Sequence, residues 1–126
     1  MYKIIENYFS FKDERGEIKG LINFENWQEV NCITSYKGTV RGGHYHKKTK
    51  EAIIVLSGKI KVDIRKNSES ECFVIEKGDV ILLVSGGHGF ECIEEVEMRN
   101  CCPKTMPPLS IGVITGKCPA LNSLGN

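Results

Sequence analysis

Charged and apolar side chains alternate without a break in Lys59-Ile-Lys-Val-Asp-Ile-Arg65. Successive side chains of a β-strand point to opposite faces, so Ile60, Val62 and Ile64 would face a core while the charged residues face water. The three- and four-residue spacing of an amphipathic helix is nearly absent from the whole chain. This stretch therefore predicts a strand that is buried on one face.

Similar short runs occur on both sides of it, separated by Gly, Asn and Ser about every ten residues, a spacing typical of a sandwich or barrel. The other predicted strands are Ile18–Ile22, Val30–Tyr36, Glu51–Leu56, Cys72–Ile75, Val80–Val84 and Phe90–Ile93. A single helical turn is predicted at Asn26–Glu29. The sequence thus predicts an all-β fold.

The four prolines all follow residue 100, and proline is excluded from central strands because it lacks an N–H. We therefore predict one domain over residues 1–126, with a barrel at about 9–98 and an irregular tail at 99–126. Within the tail only Ile111–Thr115 resembles a strand.

Composition excludes several classes of partner. The formal net charge is +1 and no basic stripe is present, which argues against nucleic acid and anionic membranes. The N-terminus reaches Glu6 without the apolar run of a signal peptide, so a cytoplasmic location is expected. The six cysteines are then interpreted as reduced thiols, and the absence of a CxxC pair argues against a cysteine-ligated metal.

The residues with the clearest chemistry lie in Gly38-Thr-Val-Arg-Gly-Gly-His44-Tyr-His46-Lys-Lys-Thr-Lys-Glu51. Two histidines two positions apart on a strand share one face and can bind one ion. Glu51 can join them if residues 47–50 turn the chain back. His88, in the glycine-rich stretch 85–89, would complete the site if that stretch is a turn.

These residues resemble the cupin superfamily. Gly38, His44, His46, Glu51 and Gly58 match the first cupin motif at every position. The second motif is matched in part, because it lacks its proline, is one residue short and has Cys92 in place of asparagine. The resemblance implies a double-stranded β-helix, or jelly roll, with a divalent metal held by His44, His46, Glu51 and His88.

Two shorter segments, Asp13–Gly16 and Arg41–Lys47, are similar to signatures of cupins that act on nucleotide-linked deoxysugars. These include dTDP-4-keto-6-deoxyhexose 3,5-epimerases and 3,4-ketoisomerases. Residues 44–51 are also similar to the zinc cupin domain of enzymes of capsular N-acetylfucosamine synthesis. The resemblance covers about residues 9–98, and it implies a substrate that is a nucleotide-linked sugar.

It also implies roles for individual side chains. The candidate acid–base residues are His44, His46 and Tyr36; the candidate substrate-binding residues are Arg15, Arg41 and Lys47. Guanidinium groups bind phosphates in a bidentate manner, which suits a nucleotide diphosphate. Open sheet edges in such folds are commonly covered by a second copy, so a homodimer is expected.

The reaction expected is proton transfer beside a sugar ketone, giving epimerisation or isomerisation. A free histidine can serve as the base without a metal. With zinc bound the histidines are ligands, and the base is then Glu51, Tyr36 or a metal-bound water. A metal-dependent cupin dioxygenase and a non-catalytic sugar-binding cupin are the alternative functions.

Overall fold

The structure is a computed structural model that describes residues 2–46, 50–84 and 86–103, with residues 42–46 given by their backbone. Eleven strands make up the regular structure of these ranges: β1 Tyr2–Ile5, β2 Phe9–Asp13, β3 Gly16–Gly20, β4 Glu29–Ser35, β5 Val40–His46, β6 Glu51–Ser57, β7 Lys59–Lys66, β8 Glu69–Glu76, β9 Val80–Leu83, β10 Gly86–Cys92 and β11 Val96–Cys102. The all-β prediction is confirmed.

The strands form two large antiparallel sheets and one hairpin. The five-stranded sheet has the order β1-β9-β6-β11-β4, and the four-stranded sheet has the order β5-β10-β7-β8. From β4 to β11 the chain passes back and forth between these sheets, with the β7–β8 hairpin as the one exception. This winding is that of a double-stranded β-helix. Strands β2 and β3 pair with each other as a separate two-stranded sheet.

The inner core lies between the two large sheets, and it includes the three alternating residues of β7 predicted to be buried. Its members are Ile53, Val55, Ile60, Val62, Ile64, Ile75, Ile81, Leu83, Phe90, Cys92, Val96 and Met98. A second cluster of Ala52, Leu82 and Cys101 is covered by Ile22, Phe24 and Trp27. Because β6 and β9 are buried on both faces, their sequences are continuous apolar runs.

Side chains connect the two sheets at both of their edges. At one edge Tyr2 of β1 stacks on Phe73 of β8, with ring centroids 4.8 Å apart, and its hydroxyl donates to Glu71. At the other edge the Arg41 guanidinium of β5 donates to the Ser35 hydroxyl of β4. These contacts hold the edges of the sandwich together.

The sandwich extends further at both ends than the predicted limits of residues 9 and 98. Strand β1 begins at Tyr2, and β11 continues to Cys102, where Pro103 follows. The predicted helical turn at Asn26–Glu29 is wrong: the Gln28 N–H donates to the Cys102 carbonyl and β4 begins at Glu29. The predicted strand Ile111–Thr115 lies outside the described residues.

The glycine-rich stretch before His88 is the start of strand β10, where a turn was predicted. Gly86 has φ of +100°, and a Cβ there would lie 2.6 Å from the Arg65 carbonyl oxygen. Glycine therefore permits a close approach of β10 to β7 at this position.

In the described ranges there is no helix with the length and hydropathy needed to span a membrane. The cytoplasmic location stays a prediction.

Candidate functional site

Two of the four predicted metal ligands meet between the large sheets. Glu51 is the first residue of β6 in the five-stranded sheet, and His88 lies on β10 in the four-stranded sheet. Both side chains are buried. Glu51 Oε1 lies 3.6 Å from His88 Nε2. Residues 37 positions apart in the chain are thus brought together in the interior, as the motif positions predicted.

The backbone register places the other two predicted ligands beside them. Strand β5 pairs with β10, and His44 lies opposite His88 while His46 lies opposite Gly86. Directly opposite residues of an antiparallel ladder belong to the same face of the sheet. Positions 44, 46 and 88 therefore share a face, although the side chains of His44 and His46 are outside the described part of the structure.

The spacing of Glu51 and His88 fits a shared metal ion. Two atoms bound to one tetrahedral zinc at about 2.1 Å each lie about 3.4 Å apart. The observed 3.6 Å is close to that value and is longer than a strong charge-assisted hydrogen bond. Among the side chains that the structure describes, no group of three or more His, Cys, Asp or Glu is placed to hold a metal.

Asn100 is a site residue that the sequence analysis missed. Its Nδ2 donates to Glu51 Oε2 at 2.7 Å, and both side chains are buried. The sequence carried a signal for it, because Val96, Met98, Asn100 and Cys102 are alternate positions that the structure places on one strand. The prolines after residue 100 placed the predicted end of the barrel at about residue 98, so Asn100 fell in the predicted tail.

A buried thiol lies beside the same carboxylate. Burial raises the pKa of Cys102 to about 12, with further contributions from the carboxylates of Glu51 and Glu29 and from Cys101. Burial and then Glu51 also raise the pKa of Cys101. Both residues therefore stay protonated thiols near neutral pH.

Tyr36, a predicted acid–base residue, follows β4 at the opposite end of the sandwich from Glu51. The residue before it, Ser35, pairs with Val96 at the start of β11, whereas Glu51 precedes Ala52, which pairs with Cys101 near the end of β11. Tyr36 and Glu51 are therefore about 20 Å apart along the strand direction. The Tyr36 side chain is 71% exposed.

The predicted substrate-binding residues are distributed over different elements. Arg15 lies in the turn of the β2–β3 hairpin, where its Nη2 donates to Asp13 Oδ2 at 2.7 Å and lowers the pKa of that carboxyl. Arg41 contacts Ser35 and donates from Nη2 to the Thr34 carbonyl at 3.3 Å, so its guanidinium links β5 to β4. Lys47 is outside the described residues.

Comparisons with known proteins agree with this architecture. The model of the family described as polysaccharide biosynthesis C-terminal domain matches residues 11–90. No curated protein sequence matches the chain significantly.

Three solved structures illustrate the similarity in fold. The TDP-quinovose 3,4-ketoisomerase WlaRB from Campylobacter jejuni has a TM-score of 0.73 at 16% identity, covering 86% of this chain and 89% of its own. The dTDP-4-dehydrorhamnose 3,5-epimerase from Bacillus anthracis, with TDP bound, has a TM-score of 0.66 at 20% identity, covering 85% and 80%. The capsular polysaccharide assembling protein CapF from Staphylococcus aureus has a TM-score of 0.58 at 21% identity, covering 79% and 31%. These similarities confirm the predicted cupin fold.

Proposed function

Because the chain belongs to the family of polysaccharide biosynthesis C-terminal domains, we propose that it is a nucleotide-sugar epimerase or ketoisomerase. The observation that carries the proposal is the meeting of Glu51 and His88 between the sheets, next to the backbone of His44 and His46. Sugar ketoisomerases and an epimerase with the same fold support it. Nucleotide-linked sugars are the proposed substrate class.

The chemistry requires a ketone on the sugar ring and a base beside it. A C–H group next to a carbonyl is acidic enough for a side chain to remove its proton and form an enolate. Returning the proton to the other face of that carbon gives an epimer. If that carbon carries a hydroxyl, its O–H proton can move to the enolate oxygen, and a proton returned to the former carbonyl carbon then gives the isomeric ketone. An imidazole with its ordinary pKa of about 6.5 accepts such a proton near neutral pH, so His44 and His46 are the proposed acid–base residues when no metal is bound.

We also propose that His44, His46, Glu51 and His88 can hold a divalent metal, with zinc as the first candidate. When bound, zinc supplies Lewis-acid polarisation of the keto oxygen and stabilisation of the enolate charge. Glu51 then contributes a charged carboxylate. Its Oε2 accepts a hydrogen bond from Asn100, and its Oε1 faces His88. With all four side chains as ligands none of them is a free base, so the base in the metal-bound form has to be a group outside these four.

Hydrogen exchange with solvent tests this proposal directly. The protein is incubated in D₂O with TDP-4-keto-6-deoxyglucose and, separately, with the UDP-linked sugar. We expect deuterium to enter the carbon beside the keto group, observed as loss of that proton signal by NMR. His46→Ala should reduce the rate at least about 100-fold, since positioned acid–base groups contribute that much. Lys59→Gln, an exposed change on β7, should leave the rate unchanged.

The other outcomes of this experiment distinguish the alternatives. Binding of the nucleotide sugar without exchange in either sample would contradict the enzyme and indicate a sugar-binding cupin. Oxygen uptake with a bound redox metal would indicate a dioxygenase. Equal exchange rates in wild type and His46→Ala would contradict the assignment of the base to this site.

We further propose that the protein is a homodimer that covers the β2–β3 hairpin. Phe9, Phe11 and Ile18 are exposed on this hairpin, and Phe11 lies opposite Ile18 in its ladder. An isolated two-stranded hairpin is marginally stable in water, and a contiguous exposed apolar patch indicates an interaction surface. A second copy is the simplest partner for this surface.

Light scattering after size exclusion tests the dimer. Wild type is expected to elute as two chains and Phe11→Asp as one chain, because a charge on the hairpin is costly to bury. Val74→Asp is the matched control, since Val74 is an equally exposed apolar residue on β8. A monomeric wild type, or a dimer that both variants retain, would contradict the proposed interface.

A further inference from the structure

Asn100 occupies a central position on the inner face of the five-stranded sheet. It lies on β11, which is flanked by β6 and β4, and its backbone is paired with Ile53 on one side and Asn31 on the other. Its side chain is only 6% exposed. Strand β11 thus fixes the Asn100 amide close to the start of β6, where Glu51 lies.

The chemistry of the two side chains fixes which way the Asn100 amide faces. Asn100 Nδ2 donates to Glu51 Oε2 at 2.7 Å, the arrangement that suits a carboxylate, since an ionised carboxyl group only accepts hydrogen bonds. The same Nδ2 lies 3.9 Å from the Cys102 sulfur. The Oδ1 atom is buried and has no hydrogen-bond partner among the described residues. In this orientation Nδ2 faces both Glu51 and Cys102.

The two oxygens of the Glu51 carboxylate have different neighbours. Oε2 is held by Asn100, and Oε1 lies 3.6 Å from His88 Nε2. A glutamate side chain has three rotatable bonds, and a short charge-assisted hydrogen bond selects one of its rotamers. Loss of the Asn100 donor would remove this restraint on the Glu51 rotamer and so on the position of Oε1 relative to His88.

We propose that Asn100 is a positioning residue that holds Glu51 so that Oε1 and His88 Nε2 face one bound metal ion together. The inference rests on the metal site proposed above. Groups that hydrogen-bond to metal ligands orient them, and their loss lowers metal affinity by about 10- to 100-fold. A buried amide among the apolar residues of the inner core carries a desolvation cost, which a role in the site would explain.

The test measures Co²⁺ affinity by chelator competition, together with the visible absorption spectrum of the bound ion. Co²⁺ is used because its spectrum reports coordination geometry. Asn100→Leu removes the donor at similar volume, and Asn100→Asp keeps the shape but places a second carboxylate beside Glu51. Both are expected to bind Co²⁺ about 10- to 100-fold more weakly, with an altered spectrum. Met98→Leu, two residues earlier on the same face of β11, is the matched control.

The outcomes separate this role from the metal site itself. If wild type and Met98→Leu bind Co²⁺ and both Asn100 variants bind it equally well with the same spectrum, the positioning role is overturned and the metal site stands. If wild type binds neither Co²⁺ nor Zn²⁺, both proposals fail. Circular dichroism of the metal-free proteins shows whether each variant is folded. If Asn100→Leu does not fold, Asn100→Asp decides the result, and Asn100→Ser replaces it if neither folds.

Discussion

Protein purified without an affinity tag is expected to carry one zinc ion per chain, and Glu51→Gln is expected to carry less than about a tenth of that amount. The substitution keeps the size of the side chain but removes its negative charge. In the wild type, Asn100 Nδ2 and His88 Nε2 are the neighbours of the two Glu51 oxygens. The glutamine side chain would place its N–H₂ group against one of these two nitrogens. Metal content is measured by inductively coupled plasma mass spectrometry.

Glu76→Gln is the matched control, because Glu76 is an exposed residue on β8 whose ion pair with Lys59 is long, at 3.9 Å. It should retain the wild-type zinc content. His46→Ala should lose the metal as Glu51→Gln does. Zinc that persists in both site variants would show that the ion is held elsewhere. A wild type without metal would leave the histidines as free acid–base groups, whereas iron, copper, nickel or manganese would favour the dioxygenase.

Much of the fold was predictable because it depends on local alternation. The pattern of residues 59–65 identified β7 and its buried face, and the structure places Ile60, Val62 and Ile64 in the inner core. The first strands were missed for a physical reason. Most residues of β1 and β2 are exposed or half-buried. In β1 the two isoleucines are adjacent, so no alternation marks that strand, and in β2 the alternation of Phe9 and Phe11 with polar residues is too short to predict a strand.

The site was predictable where a motif fixed the spacing and not where it depended on the register of distant strands. Glu51 and His88 were predicted from their motif positions, and they lie together. Tyr36 was a candidate acid–base residue, but the sequence does not show at which end of the sandwich the preceding strand ends. Asn100 reaches Glu51 through the pairing of β11 with β6, and the local alternation of residues 96–102 does not show which strand they pair with.

The structure requires glycine at the last position of the first cupin motif, and the size of this requirement can be measured. Gly58 is the single residue between β6 and β7, with φ of +88°. A Cβ at this position would lie 2.2 Å from the Glu95 carbonyl oxygen and 2.9 Å from Val96 Cγ2. The turn that passes the chain from one sheet to the other therefore requires glycine both for its backbone angle and for its space.

Gly58→Ala is accordingly expected to lower the free energy of unfolding by roughly 2–5 kcal/mol, as the sum of a left-handed backbone conformation and a steric clash. Gly78→Ala separates these two effects, because Gly78 has φ of +93° but open space where a Cβ would be. It should lose only about 1 kcal/mol. Urea denaturation gives both values, and equal losses would contradict the clash with Glu95.

The same variant tests whether stability and the site are independent. Glu51 is the first residue of β6, and Gly58 directly follows the last one. Gly58 and Glu51 are therefore separated by the full length of that strand. Gly58→Ala should therefore unfold at lower urea concentration while its folded fraction keeps the wild-type zinc affinity. A loss of affinity in the folded variant would mean that the turn also sets the position of β6 relative to β10. The geometry of the site would then depend on how this turn connects the two sheets.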